Sequence, residues 1–407
     1  MDHVELDTGA ARVNDGAHAP VAPSPFGYQP ALDGLRAVAI LSVMLFHLVF
    51  HNRLILEHGL LGVDAFFVLS GFLITTLLLR EHGRKDRISL GNFYLRRALR
   101  LLPLLACVLV FAVVVNVAFS AGYPGRPSGQ GITAAAFYYA NWYTLHHNTG
   151  LGFLGVTWSL SIEEQFYLCW PLLLMGLLAL KPSRKTVALT IVGATLVSVV
   201  YRMSFWYRAK PQRTFVDFYM QLTGRGQIRS QPEPGVSRVY FGSDTRAHQL
   251  LLGCALAALL LWLVPRLTAR AHRVMHAAGV IAAIVMVSFL CNWPRTSRAW
   301  VDHWGALIFE LAVAVLIGSL VLAPRAPLTR AMSWRPMTWT GQRAYGLYLI
   351  HPIVYQYLGE FGLGDWVSIA LRVGVVFAGA WFAYRFIEAP ALRLKDRMST
   401  GPLIARA

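Results

Sequence analysis

The first residues whose types and spacing could support chemistry are an arginine and a histidine in the first apolar segment. Arg36 and His47 are eleven residues apart. In an α-helix this is close to three full turns, so both side chains project from one face, about 16 Å apart along the axis. The pair fits an extended ligand with an anionic end near the membrane surface and a reactive end near mid-membrane, and coenzyme A has that shape. Taken alone, each residue also has an ordinary interpretation, Arg36 as an interfacial arginine and His47 as a hydrogen-bonded interior histidine.

Two further arginines, Arg97 and Arg100, stand three residues apart at the entry to the third apolar segment. On a helix this spacing puts both guanidinium groups on one face, in the fork geometry that phosphate prefers. The alternative is that they only anchor the segment at the cytoplasmic surface, as most such clusters do. Their position on the same predicted membrane side as Arg36 favours phosphate binding.

Two adjacent carboxylates, Glu163 and Glu164, lie inside the fourth apolar segment. Measured along the helices, Glu163 is about 27 Å from the cytoplasmic end of its segment and His47 about 24 Å from the end of its own. We therefore expect them at similar depth, where a carboxylate could orient the histidine as a general base that deprotonates a hydroxyl. A transporter could use the same pair as a proton relay.

The other polar residues in apolar segments have structural interpretations. Pro352 should kink its helix, and we expect His351 to fill the polar gap at the kink. Asp64 is predicted near the outer mouth, and Ser70 and Gly71 are small residues suited to close helix packing. The four cysteines are expected to be apolar core residues without disulfides. Because there is no zinc spacing, Walker loop, Rossmann glycine pattern or Gly-x-Ser-x-Gly elbow, neither a metal nor a covalent serine intermediate is indicated.

These residues must be positioned by helices that cross a membrane. Of the 407 residues, 56% are hydrophobic and only 14% are charged, which is too few charges for an ordinary soluble domain. Apolar runs of 18 to 25 residues recur, and each is long enough to span about 30 Å of hydrocarbon. The sequence therefore predicts an all-α polytopic integral membrane protein. We predict ten spans, at about 31–52, 60–80, 99–119, 153–180, 186–204, 248–264, 273–291, 303–323, 338–358 and 366–385.

The placement of basic residues predicts the orientation. Segments on one side carry three to seven Lys and Arg residues each, and the short segments on the other side carry at most two. By the positive-inside rule the basic side is cytoplasmic, and both termini lie inside. This placement explains the net charge of +17 without nucleic-acid binding.

The chain is divided into one membrane domain and two tails. We predict a disordered cytoplasmic tail (1–30), a transmembrane domain (31–390) and a basic cytoplasmic tail (391–407). The outward segment 205–247 carries seven basic residues, and the rule constrains a segment of that length only weakly. It could cover an acceptor or be a solvated loop, and both alternatives stay open.

Six segments in order resemble the acyltransferase-3 family of membrane O-acyltransferases, which includes bacterial enzymes that acetylate lipopolysaccharide, peptidoglycan, exopolysaccharides and macrolides. They are Asp33–Arg36 with its gap to His47, Gly62–Phe72, Arg96–Pro103, Trp158–Tyr167, Asp244–Gly253 and Tyr345–Pro352.

The resemblance implies roles for five residues. His47 would take part in catalysis, Glu163 rather than Glu164 would occupy the acidic position, and the acyl donor would be bound by Arg36, Arg97 and Arg100. It also implies that acyl-CoA arrives from the cytoplasm and that the acceptor hydroxyl is commonly met at the outer side.

Two departures from the family pattern stand out. Gly346 occupies a position where relatives often carry a serine. The chain is also expected to lack the extracytoplasmic hydrolase-like domain of some members, so that the acyl group reaches its acceptor directly or through a separate protein.

We therefore predict a multi-pass O-acyltransferase of the plasma (inner) membrane that uses acyl-CoA as donor and no metal. It would transfer an acetyl, succinyl or similar group to a hydroxyl of an envelope carbohydrate, a glycolipid or a secondary metabolite. Its general base would be His47, oriented by Glu163. The alternative is a proton-coupled exporter of a glycan, lipid or secondary metabolite, which would not release free CoA. A non-catalytic scaffold would leave the matched positions of Arg36, His47 and Glu163 without a purpose.

Overall fold

The computed structural model describes residues 27–48, 58–119, 123, 125–147, 150–209, 234–291, 304–358 and 365–399. All regular structure in these ranges is helical, as the composition predicted. Much of both predicted tails and of the outward segment 205–247 lies outside the described residues.

Sixteen α-helices can be numbered in chain order within the described ranges. They are α1 (Pro30–Leu48), α2 (Leu61–Lys85), α3 (Leu90–Ala118), α4 (Gly129–Ala136), α5 (Ala140–His146), α6 (Thr157–Ala179), α7 (Arg184–Ala209), α8 (Pro234–Phe241), α9 (Ser243–Leu263), α10 (Ala269–Leu290), α11 (Ala306–Leu322), α12 (Pro327–Met332), α13 (Arg335–Gln342), α14 (Ala344–Tyr357), α15 (Asp365–Ala383) and α16 (Ala389–Ser399). Short 3₁₀ turns precede α6 (Gly152–Val156) and follow α9 (Val264–Arg266), and a π-helical turn joins α15 to α16 (Tyr384–Glu388).

Each of the ten predicted spans coincides with a helix. Eight described stretches, built on α1, α2, α3, α6, α7, α9, α10 and α15, are long and apolar enough to cross a membrane. The other two predicted spans fall on shorter helices, α11 with 17 residues and α14 with 14. The all-α polytopic class is thus confirmed, whereas the number of crossings and the side of the termini stay predictions.

The surface of these helices is apolar where a soluble protein would be polar. On α3, Val110 and Val117 are 64% and 81% exposed. Such side chains are favourable against lipid and unfavourable in water, so this surface is typical of a bilayer-facing helix. The four cysteines are free, but the expectation that they belong to the core is wrong for three of them, because only Cys254 is buried.

Close backbone contact joins α2 to α9. A Cβ added to Gly71 would overlap the carbonyl oxygen of Leu250, and one added to Gly253 would overlap that of Val68. Only glycine permits this approach, so the predicted packing role of Gly71 is confirmed. The contact fixes the face that α2 presents to the protein interior.

The segment between α3 and α6 folds into the protein instead of crossing its surface as a simple connection. Its residues Phe153 and Leu154 are buried in the same apolar cluster as Val108 on α3. The Ser161 hydroxyl on α6 accepts a hydrogen bond from the Ala140 amide at the start of α5, at 3.1 Å. These contacts fix the beginning of α6 and therefore the position of its two glutamates.

Candidate active site

A cavity lies among α1, α2, α3, α6, α13 and α14. It holds about 1040 Å³ of empty space, including the part continuous with solvent. Most of its wall is apolar, with Phe66, Phe67 and Leu160 among the lining residues. The polar side chains on its wall are Arg36, Ser70, Arg97, Arg100, Ser159, Glu163, Tyr167, Tyr345 and Tyr348. Four of the five residues predicted to form the site thus meet at one cavity.

Arg36 is held at the start of α1 by a local carboxylate. Its Nη1 donates to Asp33 Oδ1 at 2.5 Å, and Asp33 Oδ2 accepts from the Tyr28 hydroxyl at 2.7 Å. Burial, together with this hydrogen bond to a carboxylate, raises the pKa of Tyr28, so its hydroxyl stays a donor. Tyr28 belongs to the predicted tail 1–30, and its contact joins the end of that tail to the site.

Arg97 has a partner that the sequence reasoning did not use. Its Nη2 lies 2.6 Å from Glu164 Oε1, and its guanidinium carbon lies 3.7 Å from the centre of the Tyr167 ring. An ion pair combined with a cation–π contact orients the guanidinium group and compensates part of its charge. Glu164 therefore positions Arg97. The signal for this role was an acidic residue next to Glu163, one turn before Tyr167.

Arg100 differs from the other two arginines of the cavity. Within the part of the chain that the structure describes, no carboxylate is close enough to form an ion pair with it. The three guanidinium groups therefore exceed the two carboxylates paired with Arg36 and Arg97 by one positive charge, before Glu163 is counted. An ionised Glu163 cancels this excess, so the attraction for an anionic ligand comes from Arg100 itself and not from a net positive charge of the cavity.

Glu163 is the carboxylate on the cavity wall. Its Oε1 accepts a hydrogen bond from the Ser70 hydroxyl on α2 at 2.7 Å. Ser70, which was predicted to serve only helix packing, therefore also holds this carboxylate. Successive residues of a helix point about 100° apart, which explains why Glu163 lines the cavity while Glu164 reaches Arg97.

His47 lies apart from these groups. Its ring is not on the cavity wall, and its centre is 5.0 Å from that of His351 on α14. Tyr348 bridges the two regions, because it lines the cavity and its ring centre is 5.8 Å from that of His351. The hydrogen bond that Glu163 accepts comes from Ser70, and the orientation of His47 by Glu163 stays a prediction.

The tautomer of His47 follows from its hydrogen bond. Its Nδ1 lies 2.8 Å from the Val43 carbonyl oxygen one turn earlier. A carbonyl oxygen only accepts, so Nδ1 must carry the proton, and Nε2 of the neutral ring holds a lone pair. That nitrogen has the form required of a general base.

A second group of buried charges joins α2, α9 and α11. Asp64 forms an ion pair with Arg246 and accepts from Gln249 at 2.9 Å. Glu310 lies 2.9 Å from His248. None of these five residues exposes more than 5% of its surface. Sequence reasoning placed Asp64 near the outer mouth and missed its partners, although charged residues inside apolar segments were the available signal.

No cluster of three or more His, Cys, Asp or Glu side chains suited to a metal ion occurs among the described residues.

Comparison with known proteins gives one family. The model of the acyltransferase domain matches residues 29–385. A putative peptidoglycan O-acetyltransferase of Bacillus subtilis is 34% identical over 378 residues, which are 89% of this chain and 55% of the relative. A peptidoglycan O-acetyltransferase of Listeria monocytogenes is 33% identical over 384 residues, covering 89% and 56%. A putative O-acetyltransferase of Staphylococcus aureus is 30% identical over 378 residues, covering 89% and 57%.

The chain spans a little over half of the length of these curated relatives. No solved structure matches it.

Proposed function

We propose a function for this chain on the premise that it belongs to the acyltransferase-3 family, as the match over residues 29–385 shows. We infer that it is a membrane O-acyltransferase that moves a short acyl group from acyl-CoA to a hydroxyl of a cell-envelope carbohydrate. The names of the relatives from Bacillus and Listeria support acetyl as the acyl group and peptidoglycan as the class of acceptor.

The observation that carries the proposal is the meeting of three arginines at one cavity. Arg36, Arg97 and Arg100 come from two helices and face the same space. Arginine has five N–H donors, so Arg97 keeps donors for a ligand while one nitrogen binds Glu164. We assign the phosphates of the donor to this end of the cavity, with a contact to Arg100, which has no ion-pair partner among the described residues.

The rest of the cavity suits the arm of the donor. Its apolar wall would cover the carbon chain of that arm. Glu163, held by Ser70, offers carboxylate oxygens to the amide N–H groups of the arm. The orientation of His47 by Glu163, which the sequence suggested, stays a separate part of the proposal.

His47 is the proposed general base. The hydroxyl proton of the acceptor passes to Nε2 of His47 as the hydroxyl oxygen bonds to the thioester carbonyl carbon. The carbon–sulfur bond then breaks, and the proton returns to the thiolate to give free CoA. The overall exchange of ester for thioester consumes no net proton.

The test is acyl transfer by the purified full-length protein in lipid nanodiscs, with labelled acetyl-CoA and peptidoglycan fragments. We expect free CoA and labelled glycan in equal amounts. His47→Ala should lower the rate by about 100-fold or more, the usual contribution of a general base. His272→Ala is the matched control, because His272 bonds the Leu322 carbonyl on α11 away from the cavity.

Two outcomes would contradict the proposal. Full activity of His47→Ala would remove His47 from catalysis. Movement of a glycan across the membrane without release of CoA would favour the exporter.

A further inference from the structure

Arg372 is a charged residue for which the proposed reaction has so far no use. It lies on α15, inside the predicted span 366–385. The buried residues Ser368 and Val376 stand four places before and four places after it, with 8% and 0% of their surface exposed. Residues four apart share a helix face, so Arg372 faces the protein interior.

An arginine within a span is costly and usually has an anionic partner or marks a substrate pathway. None of the ion pairs between described residues includes Arg372. Its Nε is buried and has no hydrogen-bond partner in the same ranges, which distinguishes it from an arginine whose whole head group extends to water. Since the residue as a whole is partly exposed, a ligand can reach the side chain from the surface.

The packing of α15 against α14 locates Arg372. Two close contacts set the register of these helices: Gly346 against Ala380, and Ile350 against Gly379. The helices run antiparallel, and continuing this register by about two turns brings Arg372 opposite positions 354–357. Tyr355 lies in that range, and the charge of Arg372 acts on its hydroxyl.

Tyr355 connects this position with the proposed general base. Its ring centre is 5.6 Å from that of His351, and the ring centre of His351 is 5.0 Å from that of His47. His47 lies at the end of α1 and Arg372 in the first half of α15, whereas the donor-site residue Arg36 lies near the start of α1. An acceptor with its reacting hydroxyl at His47 can therefore extend toward Arg372, away from the donor phosphates.

Arg372 and Tyr355 together offer hydrogen-bond donors to an anion. A guanidinium group has five N–H donors in a fork that matches a carboxylate or a phosphate. The Tyr355 hydroxyl adds an O–H donor, because it is buried in a residue only 4% exposed and has no partner in the described structure.

We propose that Arg372 and Tyr355 bind an anionic group, a carboxylate or a phosphate, of the carbohydrate whose hydroxyl is acylated at His47. The inference rests on the proposed function and adds that the acceptor is an acidic carbohydrate. Both residues select the acceptor and take no part in proton transfer.

The experiment combines a change in the charge of the acceptor with a change in the charge at position 372. The probes are the disaccharide of N-acetylglucosamine and N-acetylmuramic acid, whose lactyl group carries a carboxylate, its neutral methyl ester, and the 1-phosphate of that ester. With the wild-type protein in nanodiscs and saturating acetyl-CoA, KM for one of the two anionic probes should be about 10- to 100-fold lower than for the neutral ester. This is the value of one charge-assisted hydrogen bond, and the favoured probe identifies the anionic group.

Arg372→Gln should abolish that preference. We expect its KM for the favoured anion to rise to the value for the neutral ester, while kcat and the KM values for the ester and for acetyl-CoA stay within about twofold of wild type. Tyr355→Phe removes a neutral donor and should raise KM for the same anion by about 2- to 10-fold. Arg385→Gln is the matched control, because Arg385 is an exposed arginine in the π-helical turn at the other end of α15, and it should change no KM.

Two results would overturn the proposal. One is an equal KM of the wild-type protein for all three probes. The other is a loss in Arg372→Gln that is the same for the neutral and the anionic probes, since Arg372 would then only support the fold.

Equilibrium binding of the same three probes, fluorescently labelled, to the protein with CoA in place of acetyl-CoA repeats the comparison without turnover. Binding of the anion through Arg372 without any acyl transfer would mean that the proposed function fails and the anion site stands. Acyl transfer without a preference for charge would mean that the anion site alone fails.

Discussion

Arg100 gives the most direct test of the donor site. Its guanidinium group faces the cavity and, among the described residues, has no ion-pair partner to lose. In Arg100→Ala the proposed charge-assisted contact to a donor phosphate would be lost. Such a contact contributes about 1.5–3 kcal/mol, which is about a 10- to 150-fold rise in the Kd for CoA. Because no carboxylate in the described ranges forms an ion pair with Arg100, the melting temperature should change little.

Arg97→Ala should behave differently. It leaves Glu164 without its partner at 2.6 Å, in a position where both side chains are about one-fifth exposed. An unpaired, largely buried carboxylate costs about 1–3 kcal/mol of stability, so this variant should lose both CoA binding and thermal stability.

The assay is calorimetric titration of the purified protein in detergent micelles with CoA itself, which lacks the acyl group and is not turned over. Arg96→Ala is the matched control. Arg96 lies on the same helix and carries the same charge, but it faces Glu81 at 3.7 Å and does not line the cavity. We expect its Kd to equal that of wild type.

The reasoning would be refuted by an unchanged Kd in Arg100→Ala, since the phosphates would then bind elsewhere. An equal loss in Arg96→Ala and Arg100→Ala would indicate attraction by the general positive charge of this end of α3 and not a specific site.

Two further substitutions test contacts between helices, one a close backbone contact and the other a buried ion pair. Gly71→Ala should lower stability by about 1–3 kcal/mol, because its Cβ would overlap the backbone of α9. Gly83→Ala on the same helix is the control and should not lower stability, because a Cβ there meets nothing. Equal melting temperatures of the two variants would contradict the close contact between α2 and α9. Asp64→Asn removes the charge that faces buried Arg246 and should cost about 3–5 kcal/mol. Asp86→Asn, at a carboxylate whose side chain is 99% exposed, is its control in the same thermal assay, and a similar melting temperature for both would refute the importance of the buried pair.

The sequence predicted those features that depend on residues close together in the chain, namely the helices and the side chains that share a helix face. Hydropathy predicted ten spans, and each of them coincides with a helix. The reason is that a stretch of about 20 apolar residues has few alternatives to a helix in a bilayer. Helical spacing also predicted that Arg97 and Arg100 face one way, and both line the cavity. The family pattern pointed to Glu163 over Glu164, and Glu163 is the one of the two on the cavity wall.

The sequence did not predict which side chains become partners. Glu164 binds Arg97 across 67 positions, Ser70 binds Glu163 across 93, and His351 lies beside His47. That His351 fills a polar gap at a kink stays a prediction. Depth along a helix was the only measure available, and it placed His47 and Glu163 at one level without showing that they contact different neighbours.

The physical reason lies in the membrane. An apolar side chain is equally favourable against lipid and against another helix, so hydropathy identifies a spanning helix without showing which face packs. Close contacts such as Gly71 against α9 decide how the helices are rotated, and rotation decides which polar groups meet. The sequence by itself thus determined the helices and four polar residues of the cavity wall, whereas only the tertiary structure decided that His47 lies beside His351 and that Ser70 donates to Glu163.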